Sequence, residues 1–200
     1  MEKKFKLTEE SIVFLGRTLY RIEALKDFDI VKKGDKGGYV QKEDNLSQEE
    51  DCWISDNAKV FDRAVVCGNA KVYCDAIVYG KALVCGNAKV FGKAEVCGNA
   101  VVCDKVRVFD DAFVYDNAIV CGNAQVCGDA KIKNNSDYII FKNWWSSGRH
   151  FTWTRSNNMW KVGCFYGTGK ELIAKAYKDS EISGREYERV VNYVEAIIRQ

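Results

Sequence analysis

Apolar residues return along this chain with a beat of six. A β-branched residue, Val at all but the two ends, recurs at Ile54, Val60, Val66, Val72, Val78, Val84, Val90, Val96, Val102, Val108, Val114, Val120, Val126 and Ile132. Ala follows four residues later, from Ala58 to Ala130, and gives way once to Val106. Between them sits a turn pair, most often Gly-Asn, as at Gly68-Asn69, Gly86-Asn87, Gly98-Asn99 and Gly122-Asn123. A period this strict, without insertions, is the mark of a solenoid. In Ala-x-Val-x, strand alternation sends Ala and Val to one side and the x residues to the other. Gly and Asn accept the backbone angles of a tight corner. Strands of this length wind a three-sided coil of about 18 residues, with equivalent positions stacked about 4.8 Å apart. The pattern therefore predicts a mainly β fold, a single-stranded β-helix of four to five coils over residues 52–133.

Each outer face can then be read separately. The first presents Val65, Leu83, Val101 and Ile119 beside Cys67, Cys85, Cys103 and Cys121, and is apolar from end to end. The second carries Lys71, Lys89, Arg107 and Gln125, flanked by Tyr73, Phe91, Phe109 and Cys127. The third is mixed: Lys59, Ile77, Glu95, Phe113 and Lys131, with Phe61, Tyr79, Cys97 and Tyr115. Soluble monomers seldom expose a contiguous apolar patch beyond a few hundred Å². The first face is thus expected to be covered, either by another copy of the chain or by the chain's own terminal segments. A basic-aromatic face suits an anion or a phosphate backbone, and equally serves as a soluble edge.

Residues 1–51 lack the six-residue beat and read as an N-terminal β cap. Residues 5–8 and 18–25 alternate as strands, and Gly34-Asp35-Lys36-Gly37-Gly38 reads as a turn cluster before Tyr39-Val40. That glycine run lacks the spacing of a phosphate loop. Beyond Ile132 a polar linker leads to an α+β unit, residues 134–200. Strands are expected at 138–141, 151–154 and 160–165. Helices are expected at 170–178, capped by Thr168, and at 184–198 behind Ser183.

The net charge of +2 gives no general pull toward nucleic acid or membrane. The opening Met1-Glu2-Lys3-Lys4 leads into no apolar run, so no signal peptide and no membrane span are expected. Six of the nine Cys fall at one place in the repeat, where other coils use Phe or Tyr. They read as small apolar fillers in a reducing cytoplasm. With a lone His and no Cys-x-x-Cys pair, neither a metal site nor a cofactor is expected. Aromatic residues crowd the C-terminal unit with basic ones interleaved: Trp144, Trp145, Arg149, His150, Trp153, Arg155, Trp160 and Lys161. Flat rings beside cations fit a nucleotide or phosphorylated ligand. A small domain also needs such rings for a core, and Trp145, Trp153 and Trp160 are the expected core members. Trp144, Trp145, Arg149, His150, Arg155 and Lys161 form the candidate site.

The repeat resembles the hexapeptide-repeat left-handed β-helix family, in which an aliphatic residue is followed four later by a small one. Here Gly falls two places after the aliphatic residue rather than one. The resemblance implies a left-handed coil and a homo-oligomer, a trimer about the solenoid axis, with the first face as its interface. Many members of that family are acyltransferases with a His general base on or beside the coils. These coils contain no His and no insertion, and His150 is expected to reach a coil only in a neighbouring subunit. Arg21-Ile22-Glu23-Ala24-Leu25, Gly34-Asp35-Lys36-Gly37-Gly38, Asn45-Leu46-Ser47 and Gly163-Cys164-Phe165 are similar to a family of small repeat proteins encoded by phages and prophages of Gram-positive bacteria. That resemblance implies a non-enzymatic binding protein of the host cytoplasm, acting against a defence system by binding a host protein or sequestering a nucleotide. The alternatives are a structural spacer of a virion and an acyltransferase.

Overall fold

The structure, a computed structural model, describes residues 3–199. Its centre is a β-solenoid of two-residue strands, from β4 (Trp53–Ile54) to β17 (Lys131–Ile132), that make about five turns. Equivalent strands pair in parallel and in register, so Lys71 pairs with Lys89 and Lys89 with Arg107. The first face is a sheet of four strands and the second a sheet of five. Inside, the Val and Ala columns are almost completely excluded from solvent. Burial of each Val contributes roughly 1.5–3 kcal/mol.

Corners explain the turn pairs differently from the sequence expectation. Gly or Asp, and Cys74 once, occupies the first place of each pair, and this residue alone takes the left-handed conformation, with φ between +54° and +74°. Asn in the second place is not left-handed; its role is to pair with the next coil, as when Asn99 Nδ2 donates to Asn117 Oδ1 at 3.0 Å. Where Asp stands in the first place, except at Asp116 on the last coil, its carboxylate accepts from the amide one coil on. Asp104 accepts from Gly122 at 2.8 Å and Asp56 from Cys74 at 2.9 Å.

At the N-terminal end, β1 (Phe5–Phe14) and β2 (Arg17–Ala24) form a hairpin, and β3 (Lys36–Val40) joins it to the third face as part of an eight-stranded sheet. Phe14 and Ile12 pack on Phe61, Ile77 and Tyr79 of that face. Only Gly34 of the expected turn cluster turns the chain, at φ +92°. Residues 36–38 are strand, because the sheet needs the backbone of Gly37 to lie close to Ile22 and Ile54: a Cβ there would sit 2.5 Å from Ile22 and 2.6 Å from the Ile54 carbonyl. Lys4 plugs the end of the coil. Its buried ammonium donates to the carbonyls of Glu49, Glu50 and Cys52 at 3.0, 3.1 and 3.0 Å.

At the other end, β18 (Tyr138–Lys142), β19 (His150–Thr154), β20 (Met159–Val162) and β21 (Phe165–Gly167) form an antiparallel meander. The stretch 160–165, expected as one strand, breaks at Gly163, which has φ +55°, into β20 and β21. Helix α1 (Gly169–Asp179) starts at Thr168, whose side chain accepts from the Glu171 amide. Helix α2 (Glu181–Ile198) starts three residues before the expected place, capped by Ser180. Gly184 lies inside it, where a Cβ would meet the Tyr177 ring at 2.2 Å, so glycine there serves helix contact. One face of the meander closes the solenoid. Thr152 Oγ accepts from the Gln125 amide at 2.9 Å, Ser156 Oγ accepts from Lys131 at 2.7 Å, and Tyr138 and Ile140 meet the inner column. The opposite face carries Phe151, Trp153, Trp160 and Val162 against Leu172, Val191 and Val194 of the helices.

Among the described residues the terminal segments therefore cap the two ends and the third face and leave the first face uncovered, which counts against the second of the two expected covers. Val65, Leu83 and Val101 are half-buried by their own ladder neighbours, and Ile119 is 45% exposed. Cys67, Cys85 and Cys103 are half-buried beside them, and Cys121 is exposed.

Candidate ligand-binding groove

The second face is built from three columns, each repeated at the coil step. The strand position holds Trp53, Lys71, Lys89, Arg107 and Gln125 in turn. The corner that follows holds Ser55, Tyr73, Phe91, Phe109 and Cys127, and the corner before it Asp51, Asn69, Asn87, Lys105 and Asn123. Stacked at such a spacing, aromatic side chains meet face to face. Tyr73 and Phe91 lie 4.8 Å apart with planes at 3°, and Phe91 and Phe109 lie 5.0 Å apart at 2°. The Arg107 guanidinium covers this ladder at 5.3 Å from Phe91 and 5.6 Å from Phe109, and Lys161 stands 5.7 Å from Phe109. Such contacts fix a cation over a ring without neutralising it.

Walls rise at both ends. At the N-terminal end the loop at Asp29 and Ile30 leans over, and Asp29 pairs with Lys71 at 2.8 Å. The Lys71 charge and hydrogen bond hold the Asp29 carboxyl below its ordinary range. At the C-terminal end β19 and β20 bring Arg149, His150 and Lys161 to the rim. A depression of about 260 Å³ there is lined by Lys105, Arg107, Asn123, Gln125, Arg149 and His150. Lys89, Lys105, Arg107, Arg149 and Lys161 form no ion pair among the described residues. Five cations outside any ion pair along one groove, whose N-terminal half Asp29, Asp35 and Asp51 also line beside Lys89, are suited to phosphate, sulfate or carboxylate groups, with Arg supplying paired donors. Beneath them Cys127 is buried, and that burial pushes its thiol up to about 12 against the opposing pull of Lys161. It is a protonated filler.

The meander sorts the candidate residues of the C-terminal unit by strand alternation. His150 and Lys161 turn toward the second face, whereas Trp153 and Trp160 turn to the helices. His150 thus lines the same depression as Arg107 and Gln125 of its own coil, contrary to the expectation that only a neighbouring subunit's coil lies within its reach. Trp145 packs against Phe151 and Tyr187 in the helix-side core, at 5.9 and 5.7 Å. Trp144 is 79% exposed, edge-on to Trp145. Arg155 lies over Trp153 and donates to the Ser136 carbonyl at 3.3 Å, which ties down the linker. Of the sequence-derived candidates, the groove brings together Lys71, Lys89, Arg107, Arg149, His150 and Lys161. Lys105, Asn123 and Gln125 join them and were legible from the 18-residue spacing. The approach of Arg149 and His150 has no signal in the sequence, since it depends on how the meander docks. Among the described residues no group of three or more His, Cys, Asp or Glu side chains could hold a metal ion.

Comparison with known proteins bears on the coil. The family described as YdcK Beta solenoid repeat matches residues 112–128, which span the strands Phe113–Val114, Ile119–Val120 and Gln125–Val126. Over 75 residues the chain is 37% identical to a protein of Escherichia coli (strain K12) described as "Uncharacterized acetyltransferase YdcK". That similarity takes in 33% of this chain and 23% of the relative, so the chain spans less than a quarter of the relative's length. The fold is a β-solenoid of the hexapeptide-repeat kind, and its coil is similar to the YdcK solenoid repeat.

Proposed function

We propose that this chain is a non-enzymatic binding protein that holds an anionic ligand in the groove of its second face. The observation that carries this reading is the convergence of Lys89, Lys105, Arg107, Arg149 and Lys161, outside any ion pair among the described residues, between walls from both ends of the chain. Inorganic tripolyphosphate is the simplest probe. Calorimetric titration of the wild type should show binding, and a Lys89→Ala, Arg107→Ala double variant should lose roughly 10- to 100-fold, the loss expected for two charge-assisted contacts. Binding should also weaken with added salt. No heat at millimolar probe, or equal binding by the double variant, would rule the reading out.

The setting we propose is a phage-encoded protein of the host cytoplasm that sequesters a host-defence nucleotide. It is supported by the resemblance to phage-encoded repeat proteins and by nine unbonded thiols, which suit a reducing compartment. Among the described residues no helix is long and apolar enough to cross a membrane. Self-association through the uncovered first face belongs to the same proposal.

A second reading is supported by the similarity to a protein described as an acetyltransferase and by the position of His150 beside Arg107. On that reading the groove binds the anionic portion of an acyl donor and His150 takes the acceptor's proton. Acetyl-CoA turnover that disappears in His150→Ala would establish it in place of the first.

A further inference from the structure

The aromatic column of the second face stops one rung short. Phe109, Phe91 and Tyr73 occupy one place on successive coils, and the first coil puts Ser55 there. The match is direct, because Ile54 pairs with Val72 and the Ser55 amide donates to the Val72 carbonyl at 2.9 Å. Phe91 has a ring on either side, and Phe109 lies between Phe91 and Lys161. Tyr73 has Phe91 on one side and the short Ser55 side chain on the other. Beside it an open cavity of about 850 Å³ is lined by Tyr73, Ser55, Trp53 and Ile30, carries Asp29, Asp35 and Asp51 on its wall, and extends to Lys71 and Lys89.

We propose that this cavity seats a nucleobase, which stacks on Tyr73 as the missing rung while its phosphates run along the cation column. The ligand class is a nucleoside polyphosphate, and the inference rests on the reading of the groove as an anion site. Three features favour a base over a plain ring. A planar ring at the Ser55 level continues a ladder already spaced for stacking. Asp51, on the seat's own coil, and Asn69, one coil on, line the same cavity and give donors and acceptors for the edge of a heterocycle. Lys89 lies two coil steps from the seat and Arg107 three, about 10 and 14 Å at the strand spacing. A sugar with a chain of phosphates bridges that span, whereas a single phosphate stops short of Arg107.

The test compares ATP, GTP, CTP and UTP with inorganic tripolyphosphate by calorimetry, using the full chain. At least one nucleotide should bind about tenfold or more tightly than tripolyphosphate, the gain expected from one stacked base. Ser55→Phe builds the fourth rung from the protein itself and should erase that gain. Tripolyphosphate, which does not reach the first coil, should bind Ser55→Phe as it binds the wild type. Tyr73→Leu, which removes the stacking surface, is the second variant should Ser55→Phe fold poorly, and should erase the same gain. Nucleotides that bind no better than tripolyphosphate, or a gain that survives both variants, would overturn the seat and leave the anion groove intact. Absence of binding by tripolyphosphate and nucleotides alike would overturn the groove and the seat together.

Discussion

At the scale of the residue, the coil depends on which side chains tolerate its corners. Gly98 shows the limit: its φ is +69°, and a Cβ would lie 2.8 Å from the amide nitrogen and 2.9 Å from the carbonyl oxygen of Asp116. Both atoms are backbone within a continuous ladder, so relief requires a local shift of the coil, as where Asp56 stacks on Cys74. Gly98→Ala is therefore expected to cost about 2 kcal/mol or more, read as a shift in urea midpoint at constant slope. Asp104 tolerates φ +60° because its carboxylate caps the Gly122 amide at 2.8 Å. Asp104→Ala keeps the strained backbone, loses the cap and should cost about 1–2 kcal/mol. The inner Val and Ala were fully legible from the sequence, since a period of six leaves them no other side. The division of labour within the turn pair was not, because Gly and Asn are both corner residues by composition and only the backbone shows which of them is left-handed.

Elements at the two ends were legible as segments and less so as boundaries. Thr168 announces α1 through its capping box with Glu171, whereas α2 begins at Ser180 because its side chain accepts from the Ser183 amide at 3.1 Å. A second Ser three residues later offers the same signal, but its own amide is the one that Ser180 caps, which places it inside the helix. The N-terminal cap turns on Lys4, whose sequence context suggests a surface residue. Burial lowers its affinity for a proton, yet three carbonyls surround the ammonium. Lys4→Met would keep most of the volume and leave the Glu49, Glu50 and Cys52 carbonyls without their donor. An expected loss of about 2–4 kcal/mol follows, with early fraying of the first coil in hydrogen exchange. Lys4→Arg should be tolerated less well than its charge suggests, since a planar fork does not fit three converging acceptors.

Across the whole molecule, the three faces have three fates. The third is extended by the N-terminal hairpin, the second is walled at both ends, and the first is left open. The last point gives the assembly prediction. Native mass of the wild type, measured with reductant, should exceed that of one chain, and a Leu83→Asp, Val101→Asp double variant should be a folded monomer. A monomeric wild type would oppose self-association through this face. Face composition could be read from the sequence by taking every eighteenth residue. The convergence of His150 and Arg149 on Arg107 could not, because it arises from a meander docked across the coil's end, where spacing along the chain says nothing about angle.

The coil also makes the groove a ruler. Each 18-residue turn adds one rung and one step of about 4.8 Å. Excision of residues 75–92 would return every inner Val and Ala to register, set Lys71 directly beside Arg107 and bring Phe109 onto Tyr73. The distance from Ser55 to Arg107 would fall from three steps to two. A chain shortened in this way should favour a ligand shorter by about the same amount, and one lengthened by a turn should favour a longer one. Ligand size thus becomes a matter of counting turns, separable from the chemistry of the two ends.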